Sequence, residues 1–320
     1  MSRTCGGAVH FDAVEKEALR RILWRLAEFS GVRILTYCIM KNHFHVLAEV
    51  PERNAWLQER FDGPDGEFHL MRHLRILYSK SYVEQLQAEL AEWRRLRCHD
   101  LAEKQLAAIK RRFCDISAFI KEVKERFSRW YNKRHARKGT LWMDRFKSVL
   151  VEGKGDPLRV MAAYIDLNPL RAGIVSDPKD YRWSGYAEAL AGNAACQRGI
   201  CRAMAYAEDG WWHLQVAEAY RRTLFDRGVE VRDDEQRIIR RGVSRTEENQ
   251  VLAKGGKLTL SELIAHRVRY FSDGAALGSR EFVEEVFAKQ RHLFSPRRQS
   301  GARRIPRTET ALFTLRSLSD

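Results

Sequence analysis

Two short segments carry side chains that could do chemistry together. In Tyr37-Cys38-Ile39-Met40-Lys41-Asn42-His43-Phe44-His45-Val46-Leu47, the two histidines alternate with apolar residues. On a strand, His43 and His45 therefore share one face, roughly 7 Å apart, while Phe44 and Val46 take the other. Two imidazoles so placed can converge on one cation; the plainer reading is two polar residues on the solvated face of an edge strand. In Ala163-Tyr164-Ile165-Asp166-Leu167-Asn168-Pro169-Leu170-Arg171-Ala172-Gly173, Tyr164 and Asn168 stand at i and i+4, on one face of a helix. If that face meets the histidines, Asn168 supplies a third ligand oxygen and Tyr164 a nucleophile beside the metal. The plainer reading here is a core tyrosine and a helix stop before Pro169. Each segment alone favours its plainer reading; the two in this order, in a basic chain, favour the chemical one.

The elements that must position these residues are legible in outline. Val14, Ala18, Leu19, Ile22, Leu23 and Leu26 recur at helical spacing between Phe11 and Phe29, and Gly31 stops that helix. Val32–Met40 and His43–Val50 then read as a hairpin across Lys41-Asn42. The segment 52–115 is helix-prone and reads as an insertion or helical arm, with Leu86, Leu90, Trp93 and Leu96 as its stripe. Ile116–His135 reads as a helix with Phe119, Ile120, Val123, Phe127 and Trp130/Tyr131 on one side. Lys121, Lys124, Arg126, Arg129, Lys133 and Arg134 lie on the other. Leu141–Glu152 reads as a pair of short strands, with Arg145 and Lys147 alternating against Phe146 and Val149. Asp156-Pro157 opens a helix, which Asn168-Pro169 closes.

Tyr181–Tyr186 is an aromatic loop, in which Trp183 and Tyr186 either stack bases or seal a domain edge. Residues 192–199 read as a linker, and the chain from there to about Gln290 as helical. Ser261–Tyr270 and Ser279–Gln290 flank Asp273-Gly274 as a helix-turn-helix pair. Between Lys289 and Arg307 there are seven Lys or Arg and no acid, a pattern of a disordered basic tail. The expected organisation is thus a catalytic domain over 1–190 with an insertion at about 52–115, a helical and DNA-binding region over 191–290, and a tail over 291–320.

Composition sets the partner class. In 320 residues, 57 Lys and Arg stand against 42 Asp and Glu, a net charge of +15 and a pI near 9.7. Such an excess favours a polyanion, because each neutralised phosphate releases condensed counterions. With 44% hydrophobic and 31% charged residues the chain is globular. No apolar run reaches the roughly 18 residues of a membrane span, and Met1–Gly7 carries no apolar signal core. The six cysteines are scattered without a C-x-x-C pair, which reads as reduced thiols in a cytoplasmic chain and not as zinc or disulfide chemistry.

The pairing of N-H-F-H-V-L at Asn42–Leu47 with Y-I-x-x-N-P-L-R-A-G at Tyr164–Gly173 resembles the HUH single-tyrosine transposases, and within them the REP-associated tyrosine transposases. Gly139-Thr140-Leu141-Trp142 leading to Arg145-Phe146-Lys147-Ser148, and Tyr181–Tyr186, extend the resemblance over about residues 2–190. It implies an α+β fold with a small antiparallel, ferredoxin-like sheet flanked by helices, His43 and His45 being on a central strand. It further implies Mg²⁺ or Mn²⁺ held by His43, His45 and Asn168, and Tyr164 as nucleophile on single-stranded DNA at hairpin or inverted-repeat sequences. A phenol titrates near ~10 and needs a cation to act as a nucleophile at neutral pH, and a divalent metal on the scissile phosphate neutralises developing charge. Attack leaves a 5′-phosphotyrosine and a free 3′-OH, so rejoining needs no ATP. Arg126, Arg129, Lys133, Arg134, Arg145 and Lys147 are candidate phosphate contacts, each with a solvated charged face as its plainer reading. Tyr131 is a rival nucleophile, disfavoured by its apolar neighbours.

Members of the group work as monomers or as homodimers, in the cytoplasm and close to the nucleoid. The alternative class is a domesticated, inactive relative that binds DNA hairpins and regulates; a metal-dependent phosphodiesterase using water is a third. Relatives also begin with a strand of the pattern Y-H-x-x-x-R, and this chain starts at Ser2-Arg3-Thr4, near where that strand would end. The expectation is that the sheet lacks part of an edge or central strand, or that the true start lies upstream.

Overall fold

The computed structural model describes residues 1–7, 10–205, 214–225, 231–232, 238–240, 274–296, 298–305 and 311–316. In chain order these form β1 (Ser2–Arg3), α1 (Ala13–Ser30), β2 (Arg33–Ile39), β3 (His43–Glu49), α2 (Arg53–Phe61), α3 (Gly66–Leu74), α4 (Lys80–Arg95), α5 (His99–Lys110) and α6 (Ile116–Arg134). There follow β4 (Leu150–Val151), α7 (Asp156–Asp166), α8 (Asn168–Arg171), α9 (Gly185–Leu190), α10 (Ala194–Ala203), α11 (Leu214–Phe225), β5 (Val231–Arg232), β6 (Ile238–Arg240), β7 (Gly274–Gly278), α12 (Arg280–Lys289), β8 (Arg303–Arg304) and β9 (Phe313–Arg316). The fold is α+β. Among the described residues no helix is long and apolar enough to cross a membrane.

The chain divides into two compact units. One comprises Met1–Val9, Leu35–Leu47 and Met143–Asp320; the other comprises His10–Ile34 and Ala48–Trp142. This division follows a different line from the boundary expected near residue 190. The second unit contains the helical arm, which builds a core of its own: Phe29 from α1 packs with Trp56, Phe61, Leu70, Leu74, Leu86, Leu90 and Phe113. Burying a side chain of this size stabilises by roughly 1.5–3 kcal/mol, so the arm is a folded body. Helix α1 begins in a capping box, with the Asp12 N–H donating to Glu15 Oε2 at 3.0 Å. It ends at Gly31, whose φ of 75° is left-handed.

The first unit contains a three-stranded antiparallel sheet in the order β1-β3-β2. The Met40 N–H donates to the His43 carbonyl at 2.8 Å and closes the hairpin. Ser2 pairs with Phe44 and Arg3 with His43, so the two residues after Met1 do form a strand, and it lies beside the histidine strand. Six of the seven residues of β2 are buried, because α9 and α10 approach it very closely. A Cβ on Gly199 would stand 2.2 Å from the Leu35 carbonyl oxygen, and one on Gly185 would stand 2.2 Å from Thr36 Oγ1.

Several sequence expectations give way here. Residues 141–152 do not form two strands: the one strand among them is Leu150–Val151, paired in parallel with β7. The Met143 and Lys147 N–H groups donate to the carbonyls of Arg3 and Met1, so this stretch is tied to the N-terminal segment without forming a second strand of its own. Helix α7 ends at Asp166, next to Asn168-Pro169 as expected, but the chain turns at once into the four-residue helix α8. Leu167 stays αR, and Pro169 sits in the first turn of α8, where its missing N–H costs nothing. The segment 192–199 is not a linker but leads into α10, because Asn193 Oδ1 accepts from the N–H groups of Ala195 and Cys196 at 3.0 and 3.2 Å.

Beyond Phe225 the described residues include strands as well as helix. β7 joins β4, β9 and β8 in a mixed sheet ordered β4-β7-β9-β8, covered by α12. The expected helix over 261–270 lies outside the described residues, and its expected partner, α12, follows strand β7 directly. Part of the basic tail is ordered as β8 and β9, held by Glu284, which accepts from Ser300 Oγ and from the Gly301 and Ala302 N–H groups.

A test of the α10–β2 contact follows from its backbone atoms, which cannot rotate away. Gly199→Ala should destabilise the protein by about 2 kcal/mol or more. Gly153→Ala, with nothing within 4 Å of its added Cβ, should change the thermal midpoint little. Equal midpoints for the two variants would contradict this packing.

Candidate functional site

The side chain of His43 is fixed by its neighbour: Nδ1 lies 2.7 Å from Asn42 Oδ1. An amide oxygen only accepts, so Nδ1 carries the proton and Nε2 presents a lone pair. His45 lies two residues on, with ring centroids 5.2 Å apart at 80°. It is buried, and burial holds its pKa well below the usual histidine value, helped by the positive charges of His43, Arg3 and Arg171 among its neighbours. At neutral pH the His45 ring is therefore uncharged and offers a nitrogen lone pair.

Tyr164 comes to this pair from α7. Its ring lies 6.0 Å from that of His45, edge to face at 81°, and it is 9% exposed. Asn168, one turn on, donates Nδ2 to the carbonyls of Tyr164 and Ile165 at 3.0 and 3.1 Å, satisfying the end of α7. Its Oδ1 is the atom with lone pairs to offer a cation. The guanidinium of Arg171 covers the Tyr164 ring, with Cζ 4.8 Å from the centroid, and Nη1 donates to the Tyr164 carbonyl at 3.3 Å. The structure thus brings His43, His45 and Tyr164 into one cluster, with Asn168 adjoining through the backbone of α7.

What holds α7 in this rotation is Asp166. Successive helical residues turn by about 100°, so Asp166 faces away from Tyr164. There it is fully buried and accepts from Thr36 Oγ1 of β2 at 2.9 Å, from the Tyr220 hydroxyl of α11 at 2.6 Å and from the Tyr186 N–H of α9 at 3.3 Å. Burial drives its carboxyl up to about 7, against the lowering effect of Tyr220, Thr36 and Tyr186. The aromatic loop lies along the free edge of β2. The Tyr181 hydroxyl donates to the Ile39 carbonyl at 2.7 Å, and the Ile39 N–H donates to the Trp183 carbonyl at 3.0 Å. Tyr186 is completely buried and so presents no ring for base stacking.

The candidate phosphate contacts are not all on one body. Arg126, Arg129, Lys133 and Arg134 lie on α6 in the second unit, and Arg145 and Lys147 are exposed in the first. Arg126 is engaged by Glu122 at 3.7 Å and Arg134 by Glu15 at 3.5 Å, while Arg129 and Lys133 are exposed. Tyr131 is a packing residue, buried and stacked on His135 at 4.2 Å. Sequence reasoning gave no role to Arg3, Asp166 or Arg171. Two of these stand inside the Tyr164–Gly173 motif, so their signal was their place between functional positions. Among the described residues there is no group of three His, Cys, Asp or Glu suited to a metal; a His-His-Asn set includes an amide and is of a different kind.

No family model matches the chain, and neither the curated proteins nor the solved structures include one significantly similar to it.

The Asp166 network makes a pH-dependent prediction. An unfolded aspartate titrates near ~4 and the folded one at about 7. Between these values the folded protein binds more protons than the unfolded chain, so this residue's contribution to stability falls as pH rises from about 4 to 7 and stays low above. Wild type should therefore lose thermal stability relative to Asp166→Asn between pH 5 and pH 8. A constant difference over that range would refute the assignment. Asp166→Ala, which strands three buried donors, should cost about 2–4 kcal/mol at any pH.

Proposed function

We propose that this protein is a metal-dependent single-stranded DNA endonuclease and strand transferase, a relative of the REP-associated HUH transposases. It acts at hairpin-associated repeat sequences through a 5′-phosphotyrosine intermediate. The observation that carries this reading is the meeting of the His45 and Tyr164 rings at 6.0 Å, between two segments whose sequences separately suggested a metal strand and a nucleophile helix. The net charge of +15 suits a nucleic-acid partner, in the cytoplasm at the nucleoid, with the protein working as a monomer or a homodimer.

The donor set suits a divalent cation. Neutral imidazoles at His43 and His45 with the Oδ1 of Asn168 would hold Mg²⁺ or Mn²⁺, with water completing the shell. When bound, that ion supplies charge neutralisation at the scissile phosphate. The chain's own residues do the rest. Tyr164 Oη forms a bond to phosphorus as the P–O3′ bond breaks; the phenol proton is lost to solvent and the departing 3′-oxygen takes one up. A 3′-OH, on the same strand or another, reverses the exchange, and the phosphoester bond energy is retained throughout. Arg171 screens the ring of Tyr164, and Asp166 keeps the helix from turning it away.

With a hairpin-flanked oligonucleotide and Mn²⁺, wild type should give a protein–DNA adduct that survives denaturing electrophoresis, and chelation should abolish it. Tyr164→Phe should form no adduct and still bind the oligonucleotide. An adduct of undiminished yield from Tyr164→Phe would remove Tyr164 as nucleophile. Binding without adduct by wild type would favour a hairpin-binding regulator, and strand cleavage without adduct a nuclease that uses water.

A further inference from the structure

The histidine face is flanked by fixed positive charge. Arg3 of β1 is the cross-strand partner of His43, and side chains of directly opposed residues on antiparallel strands lie on the same face of the sheet. Arg171 lies over the Tyr164 ring at 4.8 Å, and both arginines are close enough to bear on the charge of His45. The ligands assigned above are all neutral: two imidazoles and an amide. Among the described residues no Asp or Glu joins the two histidines in a group of three ligands. A dication entering such a site meets neutral donors and two guanidinium groups, and Coulomb's law opposes it. A phosphodiester reverses the balance, because its oxygens bring negative charge to the metal and accept from the guanidinium forks.

We propose that cation and DNA enter this site as a coupled pair, with Arg3 and Arg171 as the residues that hold the phosphodiester and make metal binding depend on it. The inference rests on the ligand assignment of His43, His45 and Asn168 and gives it a regulatory consequence. Free protein holds its metal weakly, and the complete site exists only on DNA. The coupling is reciprocal by linkage: metal must tighten DNA binding by the same factor as DNA tightens metal binding.

The test is a binding measurement, independent of turnover. Mn²⁺ is titrated calorimetrically into full-length Tyr164→Phe, which cannot cleave, with and without the hairpin-flanked oligonucleotide; the oligonucleotide alone is titrated as a blank. Mn²⁺ should bind the complex at least about tenfold more tightly than the free protein, within the ~5–150-fold span of site–site coupling. Arg3→Gln and Arg171→Gln, each placed in the Tyr164→Phe background, should tighten Mn²⁺ binding to the free protein and reduce the coupling to less than about threefold. Arg3 is exposed, so its variant provides a folded test even if Arg171→Gln disturbs α8.

Equal Mn²⁺ affinity with and without DNA overturns the coupling while leaving the nuclease reading intact. Unchanged coupling in both arginine variants overturns their role. Failure to bind Mn²⁺ in either state overturns the ligand assignment itself, and this inference with it.

Discussion

A buried carboxyl decides where Tyr164 points. Asp166 lies at the junction of β2, α9 and α11, where three donors converge on it. A charge without water is costly unless such donors surround it, and the arrangement tolerates little rotation of α7. Tyr164 and Asp166 are only two residues apart, so fixing one side of the helix fixes the other. The histidines are set separately, by a tight hairpin and by the Asn42–His43 contact. The site is therefore a meeting of two pieces, the hairpin and α7, joined directly by the Thr36–Asp166 contact.

Much of the architecture was legible because hydrophobic period and stop residues agree. α1, the β2–β3 hairpin, α6 and α7 stand close to where periodicity, Gly31 and Asp156-Pro157 put them. The misreadings have a common physical origin in tertiary partners that local sequence does not show. Arg145 to Val149 alternates like a strand, but its neighbour is the start of the chain, where the Met1 carbonyl takes the Lys147 N–H, and not a partner strand within 141–152. Gly199 marks a close approach to β2 and not a flexible joint. β8 and β9 lie within a basic stretch that composition assigned to disorder, because the Glu284 carboxylate organising it sits on α12, outside that stretch.

At the site, residue types with donor or nucleophile chemistry were visible from spacing alone: His43 and His45 by alternation, Tyr164 and Asn168 by helical phase. The supporting groups were not. Arg3 gains its place only through the register of β1 on β3. Asp166 is informative only once Thr36, Tyr186 and Tyr220 are seen around it, and those residues lie far from it in sequence. Arg171 gains its place only through the packing of its guanidinium over the Tyr164 ring.

The interleaving of the two units bears on how the protein is made. The histidine strand leaves the ribosome well before Tyr164, and between them runs most of a unit with its own core. Joining two distant segments across a loose loop costs entropy that grows with the logarithm of its length, and such long-range pairings are slow. An intervening segment that has already collapsed is no longer a loose loop. A nascent chain can thus complete its helical unit first, and Tyr164 joins the histidines only late in synthesis. Until α7 docks, Tyr164 and the two histidines stay apart, and the cluster does not exist.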